Sequence, residues 1–201
     1  MDEAPYFVTM ISRLHNFDGS MADAKQVYYV EVDESRTTYP VATKALAMDP
    51  QAALEAADAY NRDAAPGKRA LVISPDIRIP VGKVPALRHY RLVHESPTNI
   101  LAKAPANASP DLITDMRYVK VFEYVPGARI AGEGTIEVDV VTNTGREFTY
   151  RQESRDGTFI VPYATTGSPY EVRTKGKYRI VGTGREFEVP EEAVLQGLPV
   201  G

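Results

Sequence analysis

The sequence contains no cysteine and no tryptophan. The absence of cysteine excludes disulfides, thiolate catalysis and cysteine-ligated zinc, but it does not fix the compartment. No run of about 18 apolar residues occurs, so these 201 residues are not expected to cross a bilayer. The first five residues lack the basic region and the apolar segment of a signal peptide. A location outside the cell would therefore depend on a sequence upstream of Met1.

The charge balance disfavours nucleic acid as a partner. Asp and Glu number 27 and Lys and Arg number 23, which gives a net charge of −4. General nucleic-acid binding depends on neutralising phosphates with Lys and Arg, and the sequence shows no basic stripe interleaved with aromatic residues. Apolar residues make up 43% of the chain, which is typical of a packed globular protein.

The first third of the chain mixes helical and extended patterns. Apolar residues in 6–14 recur at three- and four-residue steps, which predicts one face of an amphipathic helix. The β-branched and aromatic segment 27–32 predicts a strand. Asp49 and Pro50 predict the N-cap and the first position of a second helix, which ends before residue 66. The apolar segment 70–73 predicts a further strand.

Residues from about 116 to 201 are predicted to form a succession of short strands. Turn signals such as Pro126-Gly127 and Asn143-Thr144-Gly145 recur every eight to twelve residues, which indicates a sandwich or barrel. Residues 190–195 predict a final helical turn. The fold class predicted is α+β, with an N-terminal helical or mixed segment followed by a β-rich barrel- or sandwich-like domain. The predicted strands are 118–125, 135–141, 147–152, 158–163, 170–173, 177–181 and 187–189.

The stretch ALRHYRLVHESP, residues 86–97, concentrates chemically capable side chains. His94, Glu95 and Ser96 invite comparison with a serine-hydrolase triad. Neighbours in sequence rarely reach that geometry, and no G-x-S-x-G elbow occurs in the chain. As a strand, the stretch is expected to place Tyr90, Leu92 and His94 on one face and His89, Arg91, Val93 and Glu95 on the other.

Metal, phosphate and membrane sites receive little support from the remaining motifs. His89 and His94 are five residues apart, so neither a strand nor a helix brings them to one face. Gly182-Thr183-Gly184 lacks the third glycine of a dinucleotide fingerprint and is predicted to be a hairpin turn. Asn107-Ala108-Ser109 matches the N-glycosylation acceptor pattern in a small, proline-rich loop. The predicted helix over 6–14 has few cationic residues, so we expect it to pack on protein rather than lie on a membrane.

Five segments in order resemble the extracytoplasmic C-terminal region of archaeal oligosaccharyltransferases of the AglB type. The resemblance covers most of the chain and is strongest from about residue 84 onward. The segments are ISRLHNFDGS (11–20), HYRLVHESP (89–97), VKVFEYVPGARI (119–130), TNTGREFTYRQESRDGTFIVPY (142–163) and YEVRTKGKYRI with FEVPEEAVLQG (170–197).

The resemblance implies that residues 1–83 are the end of a central core region and residues 84–201 a β-rich peripheral domain. It further implies an enzyme of protein N-glycosylation that transfers a lipid-linked oligosaccharide to Asn in Asn-x-Ser/Thr acceptors. The implied partners are that lipid-linked oligosaccharide, an acceptor polypeptide and an N-terminal transmembrane domain of the same protein, which this chain lacks. The implied cofactor is a divalent metal, Mn²⁺ or Mg²⁺, held outside this chain. The implied location is the extracytoplasmic face of the cell membrane.

The chain departs from the family in its catalytic motifs. Without tryptophan it has no Trp-Trp-Asp-Tyr-Gly motif, and although Asp18 and Met21 fit D-x-x-M, Lys25 stands where that motif requires isoleucine. We therefore assign no residue here as catalytic, cofactor-binding or metal-binding, and we expect the isolated chain to be inactive. Direct glycan contact through Tyr163 and Tyr170 is a further hypothesis. The alternative functions are a free-standing immunoglobulin-like or transthyretin-like binding module and, on less evidence, an α/β enzyme built around RALVISPDI (69–77).

Overall fold

The computed structural model describes residues 4–35, 40–76, 79–99 and 116–201. The acceptor-like triplet at 107–109 lies outside the described residues. The chain divides into two compact units, of which the first comprises Met1–Thr9 and Ala22–Val84 and the second comprises Met10–Met21 and Pro85–Gly201. The assignment of residues 1–83 to the end of a central core region stays a prediction.

The helix predicted over 6–14 is interrupted. Helix α1 spans Ala4–Phe7 and helix α2 spans Met10–His15. Between them, the hydroxyl of Thr9 donates a 2.8 Å hydrogen bond to the carbonyl oxygen of Tyr6, which offers the backbone a local alternative to the helix. Ile11, expected on the buried face, is 76% exposed, so the prediction of one continuous apolar face is wrong.

The first unit is built around a three-stranded antiparallel sheet. Strands β1 (Val27–Asp33), β2 (Val41–Met48) and β3 (Lys68–Ile73) pair in the order β2-β1-β3, and helix α3 (Pro50–Asp63) packs beside β1 and β3. Helix α3 begins as predicted, because the Asp49 carboxylate accepts hydrogen bonds from the backbone N–H groups of Gln51 and Ala52.

Strand β2 was not predicted from the sequence. Its first seven residues are exposed and only Met48 is partly buried, so the segment carries no two-residue alternation of apolar and polar side chains. The strand forms because its backbone pairs with β1 along the edge of the sheet.

The second unit is an assembly of short, open sheets, and the described strands close no barrel. Strand β4 pairs with β5, and β6 lies between β9 and β13. Strand β7 pairs with β8 on one edge and with β10 and β11 on the other, and β12 follows β11. The α+β, β-rich class predicted from the sequence is confirmed. The elements are β4 (Tyr90–Glu95), β5 (Lys120–Tyr124), β6 (Ala128–Ala131), β7 (Thr135–Val141), β8 (Glu147–Glu153), β9 (Thr158–Val161), β10 (Arg173–Thr174), β11 (Tyr178–Ile180), β12 (Glu186–Phe187), α4 (Glu191–Gln196) and β13 (Pro199–Val200).

The core of this unit follows the alternation of β7. Ile136, Val138 and Val140 are fully buried, while the residues between them are only partly buried. The rings of Tyr150 and Phe159 are fully buried in the same cluster. One face of β7 is therefore buried in the hydrophobic core, as the two-residue period of its sequence predicts.

Two local predictions in this unit have different outcomes. The strand predicted at 170–173 is mostly wrong, because only Arg173 and Thr174 pair with β7, and Pro169 just before it has no N–H to donate to a ladder. The hairpin turn predicted at Gly182-Thr183-Gly184 is confirmed, since it joins the antiparallel strands β11 and β12.

In the part of the chain that is described, no helix is long and apolar enough to span a membrane.

Candidate functional site

A cluster of buried charges lies in the second unit, and we call Asp18, Glu95, Lys120 and Arg146 the buried ion cluster. Asp18 follows α2, and its backbone adopts a left-handed conformation with φ of 54°. Gly19 follows with φ of 74°, and its N–H donates to the carbonyl oxygen of Arg13. This tight turn brings the Asp18 side chain into the unit, where the residue is only 6% exposed. Such a conformation is rare outside glycine and requires support from the surrounding structure.

The Asp18 carboxylate accepts hydrogen bonds from two cations. The Arg146 guanidinium donates from Nη1 to Oδ2 and from Nη2 to Oδ1, each at 2.8 Å. The Lys120 ammonium donates to Oδ1 at 2.7 Å and to the carbonyl oxygen of His15, also at 2.7 Å. Paired bonds of the Arg–carboxylate kind fix orientation as well as charge.

Glu95, at the end of β4, is fully buried on the other side of Arg146. Its Oε2 accepts from Arg146 Nη2 at 2.7 Å and from Nε at 3.0 Å. The hydroxyls of Thr142 and Thr144 donate to its Oε1. The Asn143 side chain holds the Glu95 backbone through two hydrogen bonds of 2.9 Å. One arginine therefore bridges two buried carboxylates.

The position of Glu95 corrects the predicted faces of this strand. Leu92 pairs with Phe122 and His94 pairs with Val121, so Val93 is the extra residue of a β-bulge. The bulge moves Glu95 to the inner face that it shares with Leu92, and it leaves His94 exposed on the outer face. Strict alternation had placed Leu92 and His94 together.

The surroundings favour the charged forms of Glu95 and Arg146 despite their burial. Burial alone would raise the pKa of Glu95, but hydrogen bonds from Arg146, Thr144 and Thr142 hold that pKa below its ordinary value. Burial lowers the pKa of Lys120, and the charge of Asp18 opposes that shift. Burial would also lower the pKa of Arg146, but its bonds to Asp18 and Glu95 raise it overall. These charges are engaged with one another, so the arrangement stabilises the fold rather than offering a nucleophile or a mobile proton.

A second buried arginine ties β4 to β5 and α4. Arg91 is 2% exposed and donates two hydrogen bonds to Glu191, at 2.7 and 2.6 Å, and one to Glu123 at 2.8 Å. The ring centre of Tyr170 lies 5.3 Å from its guanidinium carbon. Tyr170 is half-buried in this contact.

The residues that resembled a serine triad do not form one. The Glu95 carboxylate is bound by Arg146, and the Ser96 hydroxyl accepts a hydrogen bond from the backbone N–H of Val119. Ser96 N–H also donates to the Val119 carbonyl oxygen, so Ser96 continues the pairing of β4 with β5. Among the described residues there is no group of three His, Cys, Asp or Glu side chains placed to hold a metal ion.

Tyr163 is not available for glycan contact, and that hypothesis is wrong for this residue. It is 3% exposed, its hydroxyl accepts from the Leu92 N–H at 2.8 Å, and its ring packs edge-on against Tyr150. Tyrosines on strands are commonly half-buried packing residues, and this one is buried further.

Sequence reasoning missed the buried ion cluster. Asp18 and Arg146 lie far apart in the chain, and each stands in a turn-like segment that reads as exposed. The available signal was Asp18-Gly19, a pair of residues that tolerates left-handed backbone.

Part of the chain is similar to archaeal proteins of known function. Residues 127–200, which include Arg146 and Glu191, match the family model described as archaeal glycosylation protein B long peripheral domain. The dolichyl-monophosphooligosaccharide–protein glycotransferase AglB of Haloferax volcanii is 31% identical over 61% of this chain and 16% of its own length. The chain therefore spans 16% of the curated relative that it matches.

A solved structure is similar in fold. The oligosaccharyltransferase AglB from Archaeoglobus fulgidus, in complex with an inhibitory peptide and a dolichol-phosphate, superposes with a TM-score of 0.50 at 18% identity. The superposition covers 88% of this chain and 26% of that chain.

Proposed function

We propose that the chain is the C-terminal, extracytoplasmic part of an oligosaccharyltransferase, because residues 127–200 match the family model of the archaeal glycosylation protein B long peripheral domain. The complete enzyme transfers a lipid-linked oligosaccharide to Asn of Asn-x-Ser/Thr acceptors. The similarity to the AglB glycotransferase of Haloferax volcanii is the observation that supports this proposal.

Within that enzyme, the chain has a supporting role and does not carry the reaction. The buried ion cluster supports this view, because Asp18, Glu95, Lys120 and Arg146 engage one another at 2.7 to 3.0 Å. The cluster fixes Met10–Met21 to the β-rich unit, since Asp18 comes from that segment and Arg146 from the turn between β7 and β8. A rigid attachment of this kind suits a scaffold.

The catalytic parts belong, on this proposal, to an N-terminal transmembrane domain of the same protein. That domain anchors the chain at the extracytoplasmic face of the membrane and holds Mn²⁺ or Mg²⁺. The lipid-linked oligosaccharide and the acceptor polypeptide meet there. The isolated chain is then a folded but inactive part.

The coding sequence upstream of Met1 distinguishes this proposal from a free-standing binding module. We expect several transmembrane segments and a Trp-Trp-Asp-Tyr-Gly motif in the same reading frame. A stop codon, or a signal peptide that directly precedes the chain, would instead support an immunoglobulin-like or transthyretin-like module.

An assay of the isolated chain tests the supporting role. The purified 201 residues, shown to be folded by their circular dichroism, are incubated with lipid-linked oligosaccharide, Mn²⁺ and an acceptor peptide that contains Asn-x-Thr. We expect no glycopeptide by mass spectrometry. Any turnover would show that the chain carries catalytic residues and would overturn the proposal.

A further inference from the structure

Three aromatic rings form a surface cluster at one end of the β4–β5 pair, and we call His89, Tyr90 and Tyr124 the aromatic platform. Tyr124 is 63% exposed, more than any other large hydrophobic or aromatic side chain that is described except Ile11. The His89 ring stacks on it with centroids 5.6 Å apart and an angle of 25° between the planes. The Tyr90 ring meets it edge-on at 5.7 Å.

The rings are held in place by the strands that carry them. Tyr90 and Tyr124 are direct partners in the β4–β5 register. His89 Nδ1 lies 3.1 Å from each of the carbonyl oxygens of Val125 and Pro126, and its own carbonyl oxygen accepts from the Val125 N–H at 2.8 Å. The backbone that carries the three rings is therefore fixed before any ligand arrives, which reduces the entropy lost on binding.

The polar edges of the platform remain available. Because Nδ1 of His89 faces two carbonyl oxygens, Nδ1 carries the proton in the neutral ring and Nε2 is an acceptor. Within the described residues, the hydroxyls of Tyr90 and Tyr124 have no hydrogen-bond partner. The platform thus combines an exposed π face with two hydroxyl groups and one acceptor nitrogen.

This combination fits a pyranose ring better than a protein surface. A sugar presents C–H groups to an aromatic face and hydroxyls to the polar groups around it, and ligand sites commonly pair aromatic walls with a few placed polar atoms. A protein partner would call for a continuous apolar patch. The exposed side chain of Val121 lies on the opposite face of β5, where it pairs with His94, so it does not extend the platform.

We propose that His89, Tyr90 and Tyr124 bind a pyranose ring of an oligosaccharide. This inference rests on the proposed function, in which an oligosaccharide is the group transferred. Tyr124 supplies the stacking face, and the hydroxyls together with His89 Nε2 set the orientation of the sugar.

The test uses the complete 201-residue chain and oligosaccharide released by mild acid from the lipid-linked pool of the source organism. Amide and aromatic resonances are followed during a titration. We expect shifts at His89, Tyr90 and Tyr124, and binding about tenfold weaker in Tyr124→Ala, since loss of an aromatic contact removes roughly this much affinity. Tyr124→Phe keeps the ring and should lose less affinity than Tyr124→Ala.

Tyr118→Ala is the matched control, because Tyr118 is 60% exposed and lies on the approach to the same strand. It should bind the oligosaccharide as the unmodified chain does, and all three variants should keep the circular dichroism of the parent. Equal affinity in Tyr124→Ala, or shifts confined to other residues, would overturn the proposal. Self-association that Tyr124→Ala abolishes, without oligosaccharide binding, would show a protein contact and would also overturn it.

Transfer by the full-length enzyme separates the two proposals. If the full-length protein transfers glycan while the platform binds none, the aromatic platform is refuted and the proposed function stands. If the full-length protein transfers no glycan, the proposed function fails whatever the titration shows.

Discussion

Arg146 and Asp18 are joined by two parallel hydrogen bonds of 2.8 Å, although they lie 128 positions apart in the chain. The same guanidinium binds the fully buried Glu95. A buried pair that loses one partner leaves an uncompensated charge, so each member of this cluster should be sensitive to substitution.

Asp18→Ala should lower the free energy of unfolding by about 3–5 kcal/mol, the range for breaking a buried ion pair. The substitution leaves Arg146 and Lys120 with fewer partners, and it places alanine in a left-handed conformation with φ of 54°. Asp18→Asn should lose less, because asparagine tolerates that conformation. Urea unfolding followed by circular dichroism measures the difference.

Asp156→Ala is the control for the backbone contribution. Asp156 has φ of 51° but is exposed, so its substitution tests the conformation without a buried charge pair. We expect Asp156→Ala to lower the free energy of unfolding by about 1 kcal/mol. If Asp18→Ala destabilises the chain no more than Asp156→Ala does, the buried ion cluster does not stabilise the fold.

Glu95 should make the protein sensitive to acid. Its pKa is held below the ordinary value of 4.5, so its contribution to stability is present above about pH 4.5 and is lost as the pH falls through the lower, folded-state pKa. Glu95→Gln should reduce stability at pH 7 and flatten the decline below pH 4.5. Urea unfolding between pH 7 and about pH 3 measures both effects.

Glu147→Gln serves as the surface counterpart of this variant. Glu147 pairs with Lys175 at 2.8 Å, but both side chains are about half exposed. A surface pair contributes about 0–1 kcal/mol, so little change is expected. An acid profile for Glu95→Gln that matches that of Glu147→Gln would contradict the assignment of Glu95 as an acid-sensitive group.

The buried tyrosines should oppose unfolding until the solution is strongly alkaline. Burial raises the pKa of Tyr150, Tyr163 and Tyr178 above the ordinary value of 10.0. Their contribution is therefore complete below pH 10.0 and is lost as the pH rises above it, because the unfolded chain releases these protons first. The chain has twelve tyrosines and no tryptophan, so tyrosinate absorbance reports titration cleanly.

We expect Tyr150, Tyr163 and Tyr178 to titrate only as the fold opens, and Tyr150→Phe to lower by one the number of tyrosines that titrate with unfolding. The Tyr150 hydroxyl donates a 3.3 Å hydrogen bond to the Leu87 carbonyl oxygen. Tyr150→Phe should therefore lower the free energy of unfolding by about 1 kcal/mol at neutral pH. Titration of all twelve tyrosines while the circular dichroism is unchanged would refute their burial.

Gly127→Ala should lower the free energy of unfolding more than Gly145→Ala does. Both glycines have positive φ, 77° and 83°. A Cβ at Gly127 would lie 2.6 Å from Cγ2 of Ile160, whereas a Cβ at Gly145 meets nothing within 4 Å. Crowding by Ile160 should add about 1–3 kcal/mol to the decrease in the free energy of unfolding caused by Gly127→Ala. Urea unfolding measures this decrease. Equal losses at the two sites would show that the chain relaxes around Gly127.

Local signals in the sequence predicted much of the fold. The cap formed by Asp49 and Pro50 defines the start of α3, and the alternation in 135–141 defines β7, because both depend on neighbours within a few residues. Strand β2 has no alternation to recognise, since its side chains are exposed on both faces.

The buried contacts could not be predicted in the same way. The β-bulge at Val93 exchanges the faces of His94 and Glu95, and a bulge leaves no mark in the apolar pattern. The pairing of Asp18 with Arg146 depends on tertiary structure that brings distant turns together. The family resemblance depends on short segments that occur in a fixed order along the sequence. The contacts between these segments depend on the tertiary structure, which the order of the segments does not specify.

The supporting role of this chain in an oligosaccharyltransferase is tested by comparing glycan transfer by the protein encoded by the complete reading frame with transfer by the isolated 201 residues. Both are assayed with the same lipid-linked oligosaccharide, Mn²⁺ and acceptor peptide, and glycopeptide is quantified by mass spectrometry. We expect transfer by the full-length protein and none by the isolated chain. Transfer by the isolated chain, or no transfer by a folded full-length protein, would contradict this role.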